Sequence, residues 1–308
     1  MGSKRITELR SLTAADLTAG TDFLHIIDDS AAISGKNKKI TVQELLEGAG
    51  GVDPLPYRYK EVFQVHNADI HTVDNKNSHT APHIWVAPPS GAFKDETRIR
   101  CWGAGGGGGG GNNSGIPGGG GGAGAFSEVL FTYVPGVQYL IYVGVAGTQG
   151  IGASNNANGQ NGSNGAQSKI TNLANTMIVI STLGGSGGLG GLANGTGGTG
   201  GLGAVGAYGI GDLRVDGAAG SDKLTNNLYG GTGGGSYRGG SGGRGGSSSD
   251  SGDARDGNFP GGGGGGGSPN TGGSTGFTKS HGGNGGPGLI IIEYNNSPAA
   301  YSYKVHSP

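Results

Sequence analysis

Five aspartates, Asp212, Asp216, Asp250, Asp253 and Asp256, are the carboxylates whose grouping could support acid–base chemistry in this 308-residue chain. Two carboxyl groups held on a rigid scaffold can hydrolyse a glycosidic bond, one as acid and the other as base or nucleophile. Here each lies among glycines and serines, a setting read as flexible loop with no rigid shell to fix geometry. Structural or solvating roles are expected, and no catalytic residue is assigned. The single cysteine, Cys101, stands beside Trp102 in a strand-like run and reads as a small core residue rather than a nucleophile. His66, His71, His79 and His83 form no His-x-His pair, and a proline-containing stretch separates the last two. They read as solvated polar residues, and no metal site is assigned. Gly-x-Gly-x-x-Gly recurs many times, but no copy follows a strand and opens a helical pattern. The sole Gly-Lys, Gly35-Lys36, is followed by Asn37, so a P-loop is absent. The chain reads as a non-enzyme without a cofactor.

Binding is the chemistry that the residue types favour. Tyr208, Tyr229, Tyr237, Arg238, Arg244, Arg255 and Phe259 are aromatic or cationic side chains set among glycine and serine. Tyrosine and arginine surrounded by small adaptable residues are the usual composition of a recognition surface. The alternative is that these side chains cover the glycine-rich structure beneath them.

Glycine dominates the rest. Of 75 glycines, seven lie in residues 1–100, and the other 68 lie between Cys101 and Gly288. The shift marks a domain boundary. Glycine loses the most backbone freedom on folding and buries no side chain, so the core must be thin and order must come from backbone hydrogen bonds, oligomerisation or both. Glycine does not keep a strict third position throughout and proline is sparse, which excludes collagen. Interleaved β-branched and aromatic segments such as Tyr139–Val143 and Met177–Ile180 exclude plain disorder. The pure runs Gly105–Gly111, Gly118–Gly122 and Gly261–Gly267 suit polyproline-II-like helices, which make no internal hydrogen bonds and can bond laterally where no Cβ intervenes. A net charge of −1 gives no electrostatic case for nucleic acid or an anionic membrane. No apolar stretch is long enough to insert in a membrane, no signal peptide is visible, and one cysteine suits a reducing cytosol.

In chain order, residues 1–51 read as a small module. It has a capped short turn or helix at Thr13–Leu17, a strand at Asp22–Asp28, a second strand or helix entry at Lys39–Val42, and a capping box Thr41/Glu44 for a helix Val42–Glu47. Residues 52–95 read as a neck with strands at Tyr57–Asn67 and Asp69–Asp74, closed by Pro82, Pro88 and Pro89. Residues 96–294 carry strands at Thr97–Trp102, Phe126–Tyr133, Tyr139–Val145, Ser168–Leu173, Met177–Leu183 and Leu289–Tyr294. The expected class is mainly β, a sandwich or jelly-roll-like domain with glycine helices. Residues 295–308 form a tail that would dock on a neighbour or fray.

Two resemblances attach to these segments. Ile6-Thr7-Glu8-Leu9, Leu12–Leu17, Asp22–Asp29 and Lys38–Leu45 resemble the N-terminal attachment module of tailed-bacteriophage fibre proteins. Arg98–Gly105, Gly122–Glu128, Val134–Tyr139 and Gly282–Tyr294 are similar to the glycine-rich domain at the C-terminal end of such fibres. The resemblance implies a β-sandwich decorated by polyglycine helices, as in tip adhesins of T-even-like phages and the glycine-rich ectodomain of an animal receptor kinase. It also implies a virion tail protein, assembled in the host cytoplasm and expected as a homotrimer. Residues 1–51 would bind other tail proteins, and the distal loops would bind a host polysaccharide or outer-membrane protein. A structural fibre, adaptor or head decoration without a receptor is the alternative.

Overall fold

The computed structural model describes residues 23–26, 38–41, 59–64, 82–90, 95–112, 115–153, 157–194, 196–223, 229–247, 253–269, 280–295 and 304–306. The chain divides into two compact units, Met1–Pro56 and Tyr57–Pro308. In the first, β1 (Phe23–Ile26) pairs antiparallel with β2 (Lys38–Thr41), Phe23 opposite Thr41. The turn at Thr13–Leu17 and the helix Val42–Glu47 lie outside the described residues.

The second unit is mainly β, as the strand periodicity predicts. Its strands are β3 (Tyr59–Gln64), β4 (His83–Val86), β5 (Glu96–Trp102), β6 (Phe126–Thr132), β7 (Gln138–Tyr142), β8 (Ser168–Asn172), β9 (Ile178–Thr182), β10 (Leu213–Val215), β11 (Leu289–Tyr294) and β12 (Lys304–His306). They form a six-stranded sheet in the order β10-β6-β5-β11-β3-β12 and a four-stranded sheet in the order β4-β7-β8-β9. All pairs are antiparallel except β12 with β3.

Alternation along each strand places the core. Thr97, Ile99 and Cys101 of β5 are fully buried, beside Ile290 and Ile292 of β11 and Phe63 of β3. All but Thr97 meet Trp85, Tyr139, Ile141, Ile170 and Ile180 of the smaller sheet in one apolar cluster. Burial holds the Cys101 thiol well above its ordinary pKa, so it stays protonated. The continuous apolar run of β11 is explained by its second face. There Leu289 and Ile291 pack with Trp102 and Phe126, covered by Val62, Val215 and Tyr237. On that same face Glu293 binds Arg98 at 2.8 Å and Arg100 at 2.7 Å.

The segment expected as a neck supplies β3 and β4, one strand to each sheet. The C-terminal tail likewise supplies β12, which adds to β3 of its own chain. The candidate strand Asp69–Asp74 lies outside the described residues.

Between the strands run twelve extended segments, the glycine helices: I (103–112), II (116–125), III (144–153), IV (157–167), V (183–193), VI (196–205), VII (216–223), VIII (229–236), IX (240–247), X (253–258), XI (261–269) and XII (280–288). Their hydrogen bonds run sideways with a period of three residues, as in a polyproline-II-like helix. In helix I the N–H groups of Gly103, Ala104 and Gly105 donate to Ala125 of II, Ala166 of IV and Gly286 of XII; Gly106, Gly107 and Gly108 repeat the cycle. Its carbonyls accept from III, V and XI by the same rotation. Helix I thus has six hydrogen-bonded neighbours. Helix II has I, V, VI, VII, VIII and XI; helix XI has I, II, VIII, IX, X and XII. Three mutually bonded helices therefore form the interior. The other nine close a ring around them in the order III, IV, V, VI, VII, VIII, IX, X, XII.

The three interior helices are the three pure glycine runs. A Cβ on Gly105, Gly106 or Gly107 would collide with the backbone of Gly262, Ser186 or Thr148, so all three faces of the helix are closed. Left-handed freedom is not the reason for these glycines. Among the described ones only Gly115, Gly136, Gly211 and Gly261 have positive φ. Ring helices need glycine where they face inward or face a neighbouring ring helix, as Gly200 of VI faces Gly220 of VII. In VI, Gly198, Gly201 and Ala204 are buried while Thr199, Leu202 and Val205 point outward. Among the described residues, the lateral hydrogen bonds of the three interior helices are made to other helices of this chain.

Candidate functional site

The N–H groups on the ring's outer side lack a helix to bind, and short polar side chains take that place. Asn158, Asn161 and Asn164, three residues apart on IV, accept from Ala193, Gly190 and Gly187 of V at 2.7–2.9 Å. Asp222 accepts from Gly200 and Asp216 from Gly206. Asp253 and Asp256 accept from His281 and Asn284, and Asp212 accepts from Leu130. Asp216, Asp222, Asp253 and Asp256 sit on the glycine lattice and Asp212 in the bend before β10, bonded to β6, where flexible loops were expected. Their carboxylates are spent on backbone donors, the structural role expected of them. Asp250 lies outside the described residues. The Asn-x-x-Asn-x-x-Asn spacing was the available sequence signal for the ladder on IV.

Of the seven recognition candidates, Tyr229, Arg244 and Arg255 lie on the neighbouring ring helices VIII, IX and X, and Tyr237, Arg238 and Phe259 lie in the turns that follow VIII and X. Tyr229 opens helix VIII, 38% exposed, and pairs through its backbone with Ser247 at the end of IX. Arg244 points outward from the middle of IX, and its carbonyl accepts from the N–H of Arg255 on X at 2.9 Å. Arg255 is exposed beside it. One helical turn on, Asn258 Nδ2 donates to Ser241 Oγ at 2.7 Å and ties the two helices together at their surface. Phe259, 45% exposed, follows at the turn into XI through a cis peptide to Pro260. Tyr208 lies elsewhere, in the 3-10 turn Gly206–Tyr208 between VI and β10.

Tyr237 and Arg238 make the turn between VIII and IX and have different tasks. The Tyr237 ring packs on Phe126 at a centroid distance of 5.3 Å, and its carbonyl accepts from Trp102 Nε1 at 2.9 Å. It pins the glycine lattice to the larger sheet, so its ring is engaged in packing. Arg238 is exposed, with φ of 48°, and its guanidinium lies 5.3 Å from the Tyr237 ring centroid. A left-handed arginine costs about 1–2 kcal/mol over an ordinary conformation. Here Gly240 N–H and Ser236 N–H close the turn around it through Pro260 and Gly240 carbonyls.

Of the histidines considered as ligands, His83 lies with its ring 5.8 Å from Phe63, and His66, His71 and His79 fall outside the described residues. The arrangement on VIII, IX and X is therefore a rigid, exposed strip of cation, aromatic and amide groups. Such a strip can hydrogen-bond and stack.

No curated protein matches the chain. The family model of the glycine-rich domain matches residues 82–295, which span β4 to β11 and all twelve glycine helices. It leaves out β3 and β12, the two strands that complete one edge of the larger sheet. With more than half its length in that match, the chain belongs to the glycine-rich domain family.

Proposed function

We propose that this chain is a virion protein of a tailed bacteriophage, a tail-fibre or tail-tip adhesin that attaches the particle to a host cell surface. The observation that carries the reading is the outward placement of Tyr229, Arg244, Arg255 and Phe259 on a lattice whose three central helices are mostly glycine backbone. A scaffold of that kind holds exposed side chains with little ordering cost on binding, which favours affinity for a repetitive surface. Arginine and tyrosine suit the hydroxyl and acidic groups of an envelope polysaccharide, or an outer-membrane protein loop. Residues 1–51 would bind other tail proteins, and three copies would present the strip with multivalent avidity. The chain would act in the virion tail after assembly in the host cytoplasm.

The closed ring favours one other reading, a stiff spacer in a fibre or decoration protein that binds no receptor. Sedimentation of the purified chain with a panel of bacterial envelopes separates the two. The adhesin reading expects binding to at least one envelope and a loss of tenfold or more in Arg244→Ala/Arg255→Ala, with far-UV dichroism unchanged. Binding to none, or binding indifferent to that double substitution, would favour the spacer.

A further inference from the structure

The sequence contains five Asn-Gly steps, Asn158-Gly159, Asn161-Gly162, Asn164-Gly165, Asn194-Gly195 and Asn284-Gly285, and two Asp-Gly steps, Asp216-Gly217 and Asp256-Gly257. Asparagine is chemically labile, and a following glycine has no Cβ to shield its own nitrogen. In an open chain hydroxide takes the glycine N–H proton and the nitrogen attacks the asparagine Cγ. The N–Cγ bond forms, the Cγ–Nδ2 bond breaks, and Nδ2 leaves as ammonia with a proton from water, which returns the hydroxide. Water then opens the succinimide at either carbonyl, giving aspartate or isoaspartate. Asp-Gly reaches the same ring by losing water. On the lattice both reacting groups are engaged by one neighbouring helix. The Gly159, Gly162 and Gly165 N–H groups of IV donate to Gly191, Gly188 and Gly185 of V at 2.8–2.9 Å. Oδ1 of Asn158, Asn161 and Asn164 accepts from Ala193, Gly190 and Gly187, each two residues beyond the carbonyl that holds the glycine. Asn284 repeats this clamp between XII and III, with Gly285 donating to Gly147 and Oδ1 accepting from Gln149. Asp216 repeats it between VII and VI, with Gly217 donating to Ala204 and Oδ1 accepting from Gly206. At Asp256 both bonds go to Asn284, whose carbonyl accepts from Gly257 and whose N–H donates to Oδ1. Asn194 belongs to the turn between V and VI, where its Oδ1 accepts from Thr196.

We infer that the six clamped steps are latent modification sites, unreactive while the lattice is closed and released when a ring helix lifts from its neighbour. The glycine nitrogen cannot give up its proton while a carbonyl holds it, so the reaction waits for the same local opening that admits amide exchange. Of the two products, aspartate keeps an acceptor at the position, as Asp216 and Asp256 already do. Isoaspartate moves the side-chain methylene into the backbone, and a helix whose bonds recur every three residues then no longer meets its partners. A ring helix modified in this way while open does not close again. Chemistry at these steps thus turns a reversible opening into a permanent one. The inference stands apart from the adhesin reading and needs no host cell to test.

The full chain is aged in mildly alkaline buffer with and without guanidinium chloride, and its peptides are mapped by mass spectrometry. In denaturant Asn158, Asn161, Asn164 and Asn284 should each gain the mass of an amide-to-acid exchange. In the native chain each should do so at least about tenfold more slowly, in step with the rarity of local opening. Gly187→Ala places the effect at one seam, because its methyl would fall on the Gly162 carbonyl between IV and V. With native dichroism retained, deamidation at Asn161 and Asn164 should rise several-fold while Asn284 keeps its wild-type rate. A measurement on the wild type alone covers the case in which that variant does not fold. The four asparagines should rank by deamidation rate as their following glycine amides rank by hydrogen exchange. Isoaspartate, read with an isoaspartate-specific methyltransferase in chains aged in denaturant and returned to native buffer, should be confined to the protease-sensitive fraction. Equal rates with and without denaturant, an equal rise at Asn284 and Asn161 in a natively folded Gly187→Ala chain, a deamidation ranking unrelated to exchange, or isoaspartate at these steps in protease-resistant chains would each overturn the inference.

Discussion

At Gly108 a Cβ would fall inside the carbonyl of Gly265, while at Gly235 the nearest atom would be the Gly240 oxygen at 3.9 Å. Gly108→Ala must push two interior helices apart and break lateral bonds worth about 1 kcal/mol each, so a loss of about 3 kcal/mol or more is expected. Gly235→Ala should be neutral or stabilising by about 0.4–1 kcal/mol, because alanine restricts the unfolded chain. Denaturant unfolding of the two variants checks both, and similar losses would mean that the lattice is not what excludes the methyl. The buried thiol gives a second residue-scale prediction. Cys101 has a raised pKa in the fold, so the unfolded chain gives up this proton first as pH rises. Its contribution is complete below the ordinary thiol range and declines above it, by about 1.4 kcal/mol per pH unit until the folded thiol also ionises. Stability measured from pH 7 to 10 should therefore fall more steeply in the wild type than in Cys101→Ala. At this scale the sequence was informative where a residue had one plausible setting. Cys101, alternating in a strand, was legible as core. Tyr237 was not, because its packing on Phe126 joins residues more than a hundred positions apart.

The glycine helices show why elements were legible only in part. Pure runs announced I, II and XI, since closure on all three faces forbids any Cβ. Ring helices announce themselves more weakly, by glycine at one or two positions in three: Gly159, Gly162 and Gly165 in IV, or Gly184, Gly187 and Gly190 in V. The lack of a strict repeat over the whole domain hid these local ones. Strands followed the same logic. β5 to β9 and β11 show in their alternation or apolar runs, whereas β4 is masked by Pro82 and Pro88, which an edge strand tolerates. β10 and β12 have three residues each, too few to carry a period. Anchoring of the lattice can be tested at the turn between VIII and IX. Tyr237→Ala removes the ring that packs on Phe126, and a cost of about 2–4 kcal/mol is expected by analogy with large-to-small core changes. Hydrogen exchange should quicken over residues 229–247 before it does in β5 and β6. Uniform quickening would show that Tyr237 acts as general core and not as an anchor.

Sandwich and lattice are not separable along the chain. Helices I and II leave and re-enter the larger sheet between β5 and β6, III and IV do the same between β7 and β8 of the smaller one, and V and VI connect β9 to β10. The remaining six lie between β10 and β11, and β11 is a central strand of the larger sheet. A lateral hydrogen bond contributes about 1 kcal/mol net, while fixing a residue costs about 1–2 kcal/mol and glycine the most. The lattice cannot hold itself without the apolar core that gathers its ends, and the core would lose β11 if the lattice frayed. Residues 57–308 should therefore melt in one cooperative transition, with calorimetric and van't Hoff enthalpies equal. Gly108→Ala at the lattice centre and Ile292→Ala in the sandwich should lower the same midpoint, the latter by about 2–5 kcal/mol of stability. Because the bonded pairs are far apart in sequence, such as Gly105 with Gly286, refolding should be slow, on the millisecond-to-second scale of non-local β proteins or beyond. Two resolved transitions, each moved by one variant alone, would show instead that the glycine lattice is an independent folding unit.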